Sequence, residues 1–195
     1  MRVAFGMKSH SGWAALVVIG KQANGFVVVD RRSIELVKHA RARQPYHAAE
    51  GLQPEAACEL VTRGIDGAHE SAVREMKAAI ERESERKNEV IACGVLVGSP
   101  MPDWTVAEIL AVHFRMHKAE GVLFREALIQ AAKDCKLKAI EVPEKEIMAH
   151  AERRLKTSAS DLSQKLAAMG KAAGAPWGKD QKDAALAAMV ALATR

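Results

Sequence analysis

Arg2-Val3-Ala4-Phe5-Gly6-Met7, a polar turn Lys8-Ser9-His10-Ser11-Gly12, and the apolar run from Trp13 to Ile19 read together as a hairpin of two short strands. Asn24 and Gly25 make a second turn, and the β-branched run Phe26-Val27-Val28-Val29-Asp30 opens a third strand that extends through Ser33-Ile34-Glu35-Leu36-Val37. A chain that begins with a three-stranded antiparallel meander commits its sheet before any helix appears.

The remainder alternates. Residues 40–54 hold Pro45, Gly51 and Pro54 without a sustained period and read as a loop carrying Tyr46, His47 and Glu50, long enough to suggest a functional or partner-facing role. Residues 55–87 have helical spacing (Ala56, Leu60, Ala72, Val73, Met76, Ala79, Ile80), with Gly64 and Gly67 marking an expected break. Residues 89–97 are a nearly unbroken apolar run, as expected of a strand covered on both faces. Thr105 with Glu108 three residues on is a capping box for a helix through His113, and a longer helix is expected over 118–135. Residues 138–142 form a short strand stopped by Pro143, and residues 144–156 are helical. Thr157 or Ser158 caps another helix, and an Ala-rich helix closes the chain. The order β-β-β-α-β-α-β-α defines an α/β protein with a sheet of mixed direction.

At 195 residues, with no Pro/Gly/Ser-rich divider, the chain is expected to form a single domain over 1–195. No apolar run reaches the roughly 18 residues that would span a bilayer, so no membrane partner and a cytoplasmic location are expected. Cys58, Cys93 and Cys135 are far apart and form no CxxC pair, which points to buried thiols in a reducing compartment. The formal charge of +5 is modest, but its distribution is informative. Residues 31–43 carry five basic side chains against Glu35, and residues 153–183 carry seven against three acids. Two such regions suit a phosphate backbone, with Lys8, Arg31, Arg32, Arg41, Arg43, Lys179 and Lys182 as candidate nucleic-acid contacts.

The closing helix opens with Lys179-Asp180-Gln181-Lys182-Asp183. At i and i+3, Asp180 and Asp183 share a face, so both carboxylates can converge on one centre, as in half of a divalent-metal site.

This organisation resembles the ribonuclease H-like superfamily, and within it the RuvC-type Holliday-junction resolvases. The opening Val3 to Ala14, with its Gly12-Trp13 pair, is similar to that family's first strand and turn. Ala119-Glu120-Gly121-Val122-Leu123-Phe124-Arg125-Glu126-Ala127-Leu128 resembles its Gly-containing helix. Ile140-Glu141-Val142-Pro143 resembles the following strand, and Asp180-Gln181-Lys182-Asp183-Ala184 the closing Asp-x-x-Asp-Ala motif. The resemblance implies a ribonuclease H-like mixed sheet, a three-stranded antiparallel meander plus two parallel strands, flanked by helices. It also implies DNA or RNA as partner, a homodimer, and Mg²⁺ or Mn²⁺ held by Asp180 and Asp183.

Members that cut nucleic acid need an Asp at the end of the first strand and usually a Glu on the central strand, to hold two metals astride the phosphate. Here the first strand offers Gly6, Met7 and Lys8, and the central strand Cys93 to Val97. Lys8 would place positive charge near where the resemblance puts a metal. Asp103, Glu141, or Glu55 and Glu59 are the acids available as substitutes, so the catalytic candidates are Asp180, Asp183, Glu141 and Asp103. The expected function is nucleic-acid binding with a degenerate nuclease centre. The alternatives are an active metal-dependent nuclease with substituted carboxylates, and a non-catalytic structural or assembly subunit.

Two further features stand apart. His113 and His117 are four apart, with Glu120 three further on, a spacing found in helix-borne metal sites that His10 or His47 would complete. Trp104 and Trp177 adjoin the expected site and are candidates for base stacking.

Overall fold

The computed structural model describes residues 1–23 and 25–194, except for the side chains of residues 40 and 41. The meander consists of β1 (Arg2–His10), β2 (Trp13–Gln22) and β3 (Gly25–Glu35), followed by a 3-10 turn (Ala40–Arg43), α1 (Pro45–Ala48) and α2 (Pro54–Glu85). Then come β4 (Glu89–Val97), α3 (Val106–Leu110), α4 (His113–Asp134), β5 (Lys138–Pro143), α5 (Ile147–Leu155), α6 (Ala159–Ala173) and α7 (Lys179–Ala193). The five strands form one sheet in the order β3-β2-β1-β4-β5. β1–β2 and β2–β3 are antiparallel; β1–β4 and β4–β5 are parallel. The meander plus two parallel strands is the sheet that the resemblance implies.

Each face of the sheet buries its own core. Val3, Phe5 and Met7 of β1, with Leu16, Val18, Cys93 and Val95, join the cluster that holds buried residues of α2 and α4. Alternation along the strands sends Val17, Ile19, Leu96 and Val142 to the opposite face, beneath α7 with α5 and α6 alongside.

Two glycines fix how close α7 comes. A methyl group at Gly6 would overlap the backbone oxygen of Ala184, and one at Gly94 would overlap that of Ala187. The helix therefore rests backbone to backbone on the two central strands, through Ala184, Ala187 and Ala188. Because Lys8 lies two residues beyond Gly6 on the same strand face, this seating brings the first turns of α7 over the end of β1.

The structure departs from the sequence reading in four places. β1 continues to His10, and only Ser11 and Gly12 turn the chain, with Gly12 at a φ of +85°, so Lys8 is a strand residue and not part of the turn. α2 is unbroken across Gly64 and Gly67: a Cβ at Gly64 would strike Pro45, so that glycine admits α1, while packing holds the helix through the propensity loss at both. Residues 40–54 contain a helical turn opened by Pro45 at its first position. The helix capped by Thr105 and Glu108 ends at Leu110, and α4 starts at His113 because Val112 is extended.

These contacts predict opposite responses to one substitution. Gly6→Ala would lower the unfolding free energy by about 3 kcal/mol or more, since backbone cannot yield as a side chain does. Gly67→Ala, with nothing within 4 Å of its added methyl, would raise it by roughly 0.5–1 kcal/mol. Urea unfolding of both variants measures the pair.

Candidate functional site

Lys8 is 6% exposed, an unusual place for a lysine unless its charge is met. It is met by three acids: Lys8 Nζ lies 2.8 Å from Asp183 Oδ2, 3.0 Å from Glu144 Oε1 and 3.2 Å from Asp180 Oδ1. An ammonium has three N–H donors and no acceptor, and each faces one carboxylate oxygen. Burial alone would drive the proton off Lys8; its hydrogen bonds to Asp183 and Glu144 and the charges behind them outweigh that, so its pKa is raised.

Each partner comes from a different element. Asp180 and Asp183 project from the first turns of α7, whose entry is set by Gly178 N–H donating to the Gln181 side-chain oxygen at 2.9 Å. The positive end of the helix favours both carboxylates there. Glu144 follows β5 directly, its N–H donating to Val97 O at the end of β4. Lys179 Nζ reaches Asp183 Oδ2 at 2.5 Å from solvent. His10 Nε2 stands 3.1 Å from Asp180 Oδ2, off the line of a hydrogen bond, with its ring stacked on Trp13 at 4.3 Å.

Of the residues singled out in the sequence, Asp180, Asp183, Lys8 and Lys179 are brought together. Lys182 is exposed on the same helix, and the stem of Arg43 covers Gly12 at the β1–β2 turn. Arg41 has its side chain outside the described residues. Arg31 is turned inward, donating to Ala173 O (2.5 Å) and Ala175 O (2.6 Å), and so ties β3 to the segment before α7. Arg32 pairs with Asp30 at 2.5 Å. Glu141 pairs in register with Val95 and shares its face, the one away from α7, while Asp103 is exposed beside Trp104. Neither has a described contact with Lys8. Trp177 Nε1 donates to Leu166 O and its ring lies against Gly170, which makes it part of the core edge; Trp104 carries Arg115 over its ring at 4.6 Å. Cys93 is fully buried, and burial pushes its thiol up to about 12, unsuited to a thiolate role.

Glu144 escaped the sequence reading. The signal available was positional: it directly follows a parallel strand, at the carboxyl edge where open α/β sheets assemble their sites.

A β3-β2-β1-β4-β5 mixed sheet with a carboxylate-bearing last helix laid across β1 and β4 is the ribonuclease H-like fold. Solved structures that share it include two of a RuvC protein. Thermus thermophilus RuvC in complex with a Holliday junction substrate is 12% identical, with a TM-score of 0.50, covering 96% of this chain and 91% of that one. A second structure of Thermus thermophilus RuvC is 10% identical with the same TM-score and coverage. The likeness is one of fold. No protein-family model matches the chain, and no curated protein matches it by sequence.

The Lys8 cluster yields a stability prediction with a defined pH window. Lys8→Met would leave Asp183 buried with only Lys179 to meet it, at a cost of about 2–3 kcal/mol, less than the roughly 3–5 kcal/mol for a closed pair. The folded state holds the Lys8 proton more tightly than the unfolded chain, where a lysine titrates near 10.5. The stability it contributes is thus complete below that pH and lost as pH rises toward the folded value. Urea unfolding should show a gap between wild type and Lys8→Met that is level from about pH 7 to 9 and closes only above about 10.5.

Proposed function

We propose that this protein binds branched or duplex nucleic acid through the edge of the sheet where β1 ends and α7 begins, and does not cut it. The observation that carries the second half is the placing of Lys8 Nζ within 3.2 Å of Asp180, Asp183 and Glu144. Three carboxylates there form a plausible oxygen donor set for Mg²⁺ or Mn²⁺, but an ammonium among them supplies the positive charge and uses the oxygens a divalent ion would need. The residues as arranged do not fit that ion, so Asp180 and Asp183 are assigned a structural role toward Lys8. Support for nucleic acid comes from the shared fold with a RuvC solved on a Holliday junction, the +5 charge, and exposed Lys179 and Lys182 beside the cluster. Arg43 at the neighbouring turn extends the basic surface. Arg31 and Arg32, held by Ala173, Ala175 and Asp30, contribute less than their position in the sequence suggests.

A second reading, an active divalent-metal-dependent nuclease, draws on Glu144. It adds a third acid to Asp180 and Asp183 that the resemblance did not supply. Lys8 opposes it.

Binding to a labelled four-way junction and to duplex of equal length tests the first half. With about three phosphate contacts, affinity should fall on the order of 40-fold between about 50 and 200 mM salt, and absence of binding at low salt would sink the proposal. Incubation with Mg²⁺ or Mn²⁺ should leave both substrates intact. Cleavage that Asp183→Asn abolishes would instead establish the nuclease. Lys8→Asp should raise Mn²⁺ affinity by about 100-fold or more by exchanging the internal cation for a fourth carboxylate; an unchanged affinity would contradict the role given to Lys8.

A further inference from the structure

On the other side of the sheet from the Lys8 cluster, three histidines meet. His47 lies on α1, and His113 and His117 stand one turn apart at the start of α4. One ring nitrogen from each can be chosen so that all three lie within 4.8 Å of one another. His113 Nε2 and His117 Nε2 are 3.1 Å apart, and the ring of His47 is centred 5.1 Å from the first and 4.6 Å from the second. A tetrahedral site with bonds of about 2.0–2.1 Å has ligand atoms about 3.3–3.4 Å apart, so the two α4 nitrogens, at 3.1 Å, stand within a few tenths of an ångström of that spacing.

The protein fixes which nitrogen His47 presents. Glu120, 4% exposed and one turn further along α4, accepts the His47 backbone N–H at Oε1 (3.2 Å), while its Oε2 lies 2.8 Å from His47 Nδ1. A carboxylate at that distance holds the proton on Nδ1 and leaves Nε2 with its lone pair outward. That Nε2 is shielded from solvent and has no hydrogen-bond partner. A buried acceptor with no donor, on a ring centred 5.1 and 4.6 Å from two more imidazoles, is the state in which a metal ligand waits.

We propose that His47, His113 and His117 form a transition-metal site, with Glu120 as the positioning residue for His47. Three neutral imidazoles select a late first-row cation, Zn²⁺ foremost, over Mg²⁺ or Ca²⁺, which need oxygen donors. Among the described residues no fourth His, Cys, Asp or Glu joins the group, so the fourth position is left for water or an exogenous ligand. The cation pins α1, in the segment between β3 and α2, to the start of α4. That gives a structural purpose to a segment whose sequence suggested a functional role. The site shares no ligand with the Lys8 cluster and stands or falls apart from the nucleic-acid reading.

The experiment is competition of the full chain with a chromophoric chelator for Zn²⁺, with X-ray absorption on the loaded wild type to count ligands. One equivalent should bind, and the absorption spectrum should show three imidazoles. His113→Gln and His117→Gln, both at exposed positions, should each weaken binding on the order of 100-fold, and Glu120→Gln about 10- to 100-fold. Absence of stoichiometric binding would overturn the proposal. So would a spectrum with two imidazoles or fewer, or an affinity that survives His113→Gln together with His117→Gln.

Discussion

The backbone-to-backbone seating of α7 on Gly6 and Gly94 is the constraint that shapes everything else in the molecule. A side chain at either position would lift the helix, and the alanine face of α7 has nothing long enough to fill the gap. With the helix down, Asp183 precedes the contact residue Ala184, and Lys8 follows Gly6 by one strand repeat. The approach that forms the core on this face therefore also sets what can stand at position 8: a group able to answer two carboxylates from α7 and one from the end of β5.

A lysine answers them in a way no metal-binding carboxylate can. Its stem runs under α7 and its three donors end among three acceptors. Buried charge is costly unless paired and hydrogen-bonded, and here both conditions hold, with Lys179 adding a second cation from the solvent side. The local sum is two lysines against three acids, close to neutral, where a centre built to hold two divalent ions keeps its carboxylates uncompensated. Three carboxylates from two elements converge on one buried ammonium.

Much of the fold was legible in the sequence because strands with continuous apolar runs announce themselves: the meander and the bounds of β4 came from composition and turn residues. The Asp180/Asp183 pair was legible from helical spacing. Four things were not. The polar residues Lys8 to His10 read as turn because burial of a lysine depends on partners some 140 to 175 residues away. The continuity of α2 depends on Gly64 receiving Pro45, a tertiary contact. Arg31 and Arg32 read as nucleic-acid contacts, while the carbonyls of Ala173 and Ala175 and the carboxylate of Asp30 take their guanidinium groups. Glu144 had no motif at all, only its place after a parallel strand.

Lys8 is the cation on which the Asp180, Asp183 and Glu144 carboxylates converge. Paramagnetic broadening of backbone amide resonances on titration with Mn²⁺ is the decisive measurement, because the ion reports where it binds. With Lys8 in place, no saturable broadening centred on Asp180, Asp183 and Glu144 is expected in the wild-type protein. Saturable broadening focused on those three residues at low Mn²⁺ would contradict the assignment of Lys8 as the resident cation.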